Sequence, residues 1–194
     1  MRVRPPPGPH MIKEWTLLSA EDVSPSSWFP IEKRKYQLPD GKVVEDFFVD
    51  RLRDVALVVP MTVEGKIIIC RQFKPGIGEI TYEFPAGRME ERHTDMNQVA
   101  KDELQEEAGA IAGDLNLVGQ LYERPTKSTE RVHVFVGTGV SIESLQKLDE
   151  TEDIEVLVLS KQEVDQLILD NQIRGSATVG AWYLAKLKFP DLFS

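Results

Sequence analysis

Cysteine is almost missing from this chain. Cys70 stands alone, so no disulfide framework and no cysteine-based zinc site can form within one chain. It lies in the apolar run Lys66 to Cys70, which predicts a buried, inert thiol. Long apolar runs are missing too, and nothing approaches the roughly 20 residues that span a bilayer, so no membrane partner is expected. The N-terminus carries arginines and prolines without an apolar signal core, which makes the cytoplasm the default location. Positive charge is in deficit, with 23 Lys and Arg against 32 Asp and Glu and a formal net charge of −9. That balance argues against nucleic acid as a general partner, because backbone phosphates would be repelled. It leaves room for a small phosphorylated ligand, since a bound divalent metal inverts the local field. Internal repeats and low-complexity linkers are also absent.

What is there reads as an ordinary globular protein, 41% hydrophobic and 28% charged over 194 residues. Residues 1–10 differ from the rest. Pro5, Pro6, Pro7 and Pro9 favour an extended segment, and Gly8-Pro9-His10-Met11 resembles a cloning remnant, so a disordered or vector-derived tail is expected there. Strands are predicted over Lys33 to Gln37 and Lys42 to Val49, joined by the turn sequence Leu38-Pro39-Asp40-Gly41. More strands follow over Asp54 to Val63, Lys66 to Phe73 and Glu79 to Phe84. A helix from Met96 to Ala108 comes next, with Asp95 and Gln98 spaced for a capping box and Gly109 as its stop. Leu115 to Tyr122, Arg131 to Val140 and Ile154 to Leu159 read as strands. Ser160 and Glu163 repeat the capping signal and open a helix to Asp170, and a last helix spans Thr178 to Leu187 with Val179, Trp182 and Leu187 facing inward. The fold class is α+β, with residues 11–52 as an N-terminal strand region and 53–194 as the main domain.

The chemistry concentrates in Glu83-Phe84-Pro85-Ala86-Gly87 and in Lys101-Asp102-Glu103-Leu104-Gln105-Glu106-Glu107-Ala108-Gly109. Glu103, Glu106 and Glu107 stand at i, i+3 and i+4, which puts their carboxylates on one helix face. Such a cluster is either a solvated acidic face or a site where a hard cation such as Mg2+ gathers oxygen ligands together with substrate phosphates. His133, in an alternating strand, reads as structural.

This stretch resembles the Nudix box, a glycine, five residues, a glutamate, seven residues, then R-E-U-x-E-E-x-G-U with U apolar. Gly87, Glu103, Leu104, Glu106, Glu107 and Gly109 match it. The segment is one residue longer than the pattern. The loop glutamate falls near Thr94, between His93 and Asp95, and the arginine becomes Asp102. In the family that glutamate and arginine brace loop against helix. Here either the pair is charge-reversed, with Arg92 or His93 reaching Asp102, or Asp102 is solvated. The resemblance implies a Nudix fold, a mixed β-sheet sandwiched between helices, with an N-terminal antiparallel hairpin region. It assigns the metal ligands to Glu103, Glu106, Glu107 and the Ala86 carbonyl, with Mg2+ as the cofactor and Mn2+ as a substitute.

Arg71-Gln72-Phe73-Lys74-Pro75 followed by Glu83 to Gly87 resembles the ADP-ribose pyrophosphatase branch, as does Pro125-Thr126-Lys127-Ser128-Thr129-Glu130. The branch implies substrate contacts from Arg51, Lys74, Glu83 and Pro125, and Pro125 matches its substrate-class marker. For Arg51 the residues alone favour a surface ion pair among Asp50, Arg51, Arg53 and Asp54. Glu152, in the acidic stretch Asp149 to Asp153, matches a further catalytic carboxylate expected to orient or deprotonate the attacking water, alongside Glu106. Homodimers whose N-terminal strands help build the partner's site are also implied, with Trp28 or Phe47 to stack an adenine, although Phe47 equally suits core packing. The expected reaction is hydrolysis of ADP-ribose to AMP and ribose 5-phosphate. The rivals are another nucleotide sugar such as GDP-mannose, or a nucleotide-binding sensor without catalysis.

Overall fold

A computed structural model describes residues 11–194; the expectation for residues 1–10 lies outside the described residues. The chain divides into two compact units. One reaches to Leu52 and includes Thr126–Ser128; the other comprises Arg53–Pro125 and Thr129–Ser194.

In the first unit, β1 (Thr16–Asp22), β2 (Ile31–Gln37) and β3 (Val43–Asp50) form an antiparallel sheet in that order. The Pro-Asp-Gly turn forms as its residues dictate. Gly41 adopts φ 88°, which an L side chain resists, and the Leu38 N–H donates to the Lys42 carbonyl at 2.8 Å. Trp15, Tyr36 and Phe47 pack edge to face with centroids 5.6–5.8 Å apart. The Lys127 ammonium sits 4.0 Å over the Phe47 ring. Strand β1 is absent from the sequence reading because TLLSAED has no clean alternation, and every one of its residues is exposed.

In the second unit, the strands β4 (Val55–Thr62), β5 (Ile67–Lys74), β8 (Ala110–Ile111), β10 (Val132–Ile142) and β11 (Ile154–Leu159) order as β11-β5-β4-β10-β8. The strands β6 (Glu79–Glu83), β7 (Ala86–Arg88) and β9 (Asp114–Leu121) pair with β5, β4 and β10 respectively. The central pair β4 and β10 is parallel and covered on both faces, which explains its near-continuous apolar sequence. Alternation then sorts the side chains. Ala56, Val58, Ile68 and Phe135 pack with Val99, Ala100 and Leu104 of helix α1 (Met96–Ala108). Leu57, Val59, Ile67, Ile69, Val134 and Val136 pack with Val164 of α2 (Lys161–Leu169) and with Ala181, Trp182 and Ala185 of α3 (Ser176–Lys188). This is the mixed sheet between helices that the resemblance implied. A last turn, α4 (Pro190–Phe193), sets Phe193 edge-on against Trp182 at 5.0 Å.

Two local expectations are corrected. Leu187 is 80% exposed. The buried stripe of α3 runs through Thr178, Ala181, Trp182 and Ala185, and a residue five positions after Trp182 is rotated well off it. At α1, Asp95 caps the Asn97 and Gln98 amides at 2.9 Å, but the Gln98 side chain accepts from Thr94 rather than closing a reciprocal box. The short strands β7 and β8 carry too few residues for a period to be read. The Ser160–Glu163 box does close in both directions.

Candidate active site

The start of β7 and one face of α1 meet at a close approach. A Cβ built on Gly87 would lie 2.1 Å from the Glu103 carboxyl carbon. One residue earlier, the Ala86 N–H donates to Glu107 Oε2 at 2.9 Å. The Glu107 carboxylate is thereby fixed under the turn that follows Phe84-Pro85, while Glu103 covers Gly87. Gly109 ends the helix with φ 62°, and a Cβ there would meet the Ser144 carbonyl oxygen at 2.2 Å. Gly109 is thus required by its backbone conformation and by close approach of backbone, whereas Gly87 leaves room for the Glu103 carboxylate.

The electrostatics of this pair are unusual for carboxylates. Burial, and then repulsion from Glu106 and Glu152, push Glu103 up to about 7. Burial pushes Glu107 up to about 8 against the lowering effect of the Ala86 hydrogen bond, and repulsion from Glu103, Glu83 and Glu152 adds to the rise. Among the described residues no hydrogen bond or ion pair reaches the Glu103 carboxylate, and none of their acidic, histidine and cysteine side chains gather as a ready-made metal cage. Two desolvated acids that repel each other, supplied only with oxygen donors, fit a hard divalent cation, whose charge would offset what raises them. Cys70, behind them in β5, is fully buried, and burial pushes its thiol well up, as an inert core residue requires.

Around this centre, Glu83 accepts from Lys74 Nζ and from Gln72 Nε2, both at 2.5 Å. Lys74 and Gln72 share one hairpin with Glu83 through the β5–β6 register. Glu152 accepts from the Asp149 amide at 3.0 Å, in a segment anchored to the end of α1. There the Lys147 amide donates to the Glu106 carbonyl at 2.8 Å. Gln146 Nε2 donates to the carbonyls of Glu107 at 2.6 Å and Ile154 at 3.0 Å. Gln72 lies in the Arg71 to Pro75 stretch without a role assigned to it and Gln146 lies in no motif, so sequence reading missed both contacts. The signal for Gln146 was only its place between the helix and β11.

The altered brace is visible. His93 is buried; its Nδ1 accepts from the Glu90 amide at 2.9 Å, which leaves the ring proton on Nε2. That Nε2 approaches Asp102 Oδ2 at 3.3 Å, close enough for electrostatic attraction but without hydrogen-bond alignment. Of the two open alternatives, the structure shows the His93 contact. Arg92 goes instead to Glu106, with paired contacts of 2.9 and 3.0 Å.

The other residues singled out from the sequence have their own surroundings. Pro125 is exposed and occupies no described contact with the acids. His133 is structural, 2.8 Å from Asp54 and 3.2 Å from Gln120. Arg51 and Trp28 belong to the first unit. There Arg51 pairs with Glu32 at 2.8 Å, and Trp28 is 91% exposed. Phe47 serves the aromatic packing.

With this geometry in hand, residues 51–179 match the family described as NUDIX domain. The ADP-ribose pyrophosphatase of Bacillus subtilis (strain 168) is 32% identical over 153 residues, covering 78% of this chain and 82% of that protein. The methanol dehydrogenase activator of Bacillus methanolicus is 30% identical over 144 residues, covering 74% of this chain and 77% of that protein. A crystal structure of ADP compounds hydrolase superposes with a TM-score of 0.79 at 22% identity, covering 94% of this chain and 98% of that one. At that identity the likeness concerns the fold alone.

Proposed function

The chain belongs to the Nudix hydrolase family, and from that premise we propose that it is a Mg2+-dependent pyrophosphatase converting ADP-ribose to AMP and ribose 5-phosphate. The observation that carries this reading is the pair Glu103 and Glu107, desolvated and raised to about 7 and about 8, held against Gly87 and Ala86. Glu103, Glu106, Glu107 and the Ala86 carbonyl are the ligands that would hold the divalent cation. When bound, the cation supplies charge neutralisation and polarisation of the diphosphate.

The remaining roles fall to side chains. Lys74, already oriented by Glu83, neutralises a phosphate oxygen, and Arg51 offers a planar fork to another. Glu83 keeps Lys74 aimed while the substrate is absent. Glu152 takes the proton as water attacks one phosphorus and the bridging oxygen leaves with the other; a base for this step must come within hydrogen-bond reach of that water. The Pro125 segment borders the sugar, and Trp28 stacks the adenine. The native form is a cytoplasmic homodimer built through the N-terminal strands.

Incubation with ADP-ribose and Mg2+, followed by product identification, tests the reading. AMP with ribose 5-phosphate is expected. Cleavage confined to GDP-mannose in a substrate panel would replace the substrate. Tight nucleotide binding without turnover under any divalent metal would make the protein a sensor.

A further inference from the structure

Arg92 lies between two carboxylates. Its Nε contacts Glu90 Oε2 at 2.9 Å, and its two terminal nitrogens take both oxygens of Glu106, at 2.9 and 3.0 Å. The residue after it is immobilised, because His93 is buried and its ring accepts from the Glu90 amide. The guanidinium therefore rises from a fixed point of the loop onto the helix. A fork that uses both carboxylate oxygens leaves Glu106 neutralised by a cation from its own chain. That cation cannot share the carboxylate with a divalent ion at close range, since the two positive charges repel. The pair is also easily opened, because the side chains of Arg92 and Glu106 are 49% and 30% exposed, and solvent screens such contacts. Glu90 gives the guanidinium a second anion to remain on once Glu106 lets go.

We propose that Arg92 is a built-in stand-in for the divalent cation at Glu106, holding that carboxylate in the cation-free chain and yielding it when the cation binds. The inference rests on the reading of Glu106 as a cation ligand. It makes metal loading an exchange on one side chain, with Glu103 and Glu107 as the fixed part of the site and Glu106 as the part that changes partner.

Isothermal titration of the full chain with Mg2+, without nucleotide, tests the exchange. Arg92→Ala is expected to bind Mg2+ about three- to tenfold tighter than wild type, the range set by loss of one partly exposed fork. Arg92→Lys, which keeps the charge and loses the fork, should fall between. In a Glu106→Gln background, removing Arg92 should leave the affinity within about 1.5-fold, because the two residues act through each other. Weaker or unchanged binding in Arg92→Ala would overturn the proposal. So would an undiminished gain in the Glu106→Gln background, which would mark a general field effect. If Glu103→Gln weakens Mg2+ binding while Arg92→Ala does nothing, the exchange fails and the metal reading stands. If the folded wild type, checked by circular dichroism, takes up no Mg2+, both fail together.

Discussion

Glu107 joins two roles that are separable by mutation: its carboxylate fixes the Ala86 turn, and its charge belongs to the proposed cation site. Glu107→Gln keeps an oxygen for the Ala86 amide while removing the charge. We expect turnover to fall by about three orders of magnitude or more with the thermal midpoint retained, as read from steady-state kinetics beside a melt. Gly87→Ala acts from the other side. Its methyl must displace the Glu103 carboxylate, the end of a flexible side chain, so Mg2+ affinity should drop at least about tenfold while stability changes by less than about 1 kcal/mol. The same acids set a pH dependence. Their folded-state values, about 7 and about 8, lie above the ordinary 4.5, so the folded chain holds the extra protons between those limits. Their contribution to stability in EDTA is therefore largest near pH 4.5 and is lost as pH rises towards 8. A Glu103→Gln, Glu107→Gln double variant should lack that part of the slope in urea titrations across the window; an unchanged slope would refute the assignment. These residues were legible because the i, i+3, i+4 spacing and the two glycines are local. Gln72 and Gln146 were not, because each acquires its partner only through pairing distant in sequence.

At the scale of elements, the connection from β10 to β11 and the helix α1 hold each other. The orphan carbonyls at the helix end are taken by the Glu143, Ser144 and Lys147 amides and by the Gln146 side chain. Truncating Gln146 to Ala frees both the Glu107 and Ile154 carbonyls from their shared donor. The proposed base Glu152 sits between those anchors, so kcat should fall about tenfold or more with KM for ADP-ribose changed less than about threefold; an effect on KM alone would argue that the loop serves binding. The N-terminal end of α1 offers a contrast. Asp95→Ala should cost about 1 kcal/mol of stability and little else. Helix α1 and the Ser160 cap were readable because their signals are contiguous. Strand β1 and the two shortest strands were not, because an exposed strand or one of two or three residues has no burial period to display. The misplaced Leu187 has a related cause: small residues, Ala181 and Ala185, form the packed stripe of α3 and let an exposed leucine look like core.

At the scale of the molecule, the second unit is two apolar layers separated by one sheet, with Trp182 wholly buried between Phe84 and Phe193. Trp182→Ala should cost about 3–5 kcal/mol, measured by denaturant unfolding. It would also leave Asp165 without its indole partner, which now donates at 2.7 Å. The acidic face of α1 belongs to the helix that packs on the opposite layer through Val99, Ala100 and Leu104. The alternating sheet and its helices were foreseeable from composition and period. The chemistry needed the match to a known pattern, because three glutamates on a helix face are by themselves an ordinary solvated surface.

The most direct test is a crystal structure of the full chain with Mn2+ and a non-hydrolysable methylene analogue of ADP-ribose, the metal located by its anomalous scattering. The account predicts Mn2+ between the diphosphate and the carboxylates of Glu103, Glu106 and Glu107, with Arg92 turned away from Glu106. Mn2+ bound elsewhere, with those three side chains facing bulk solvent, would contradict it.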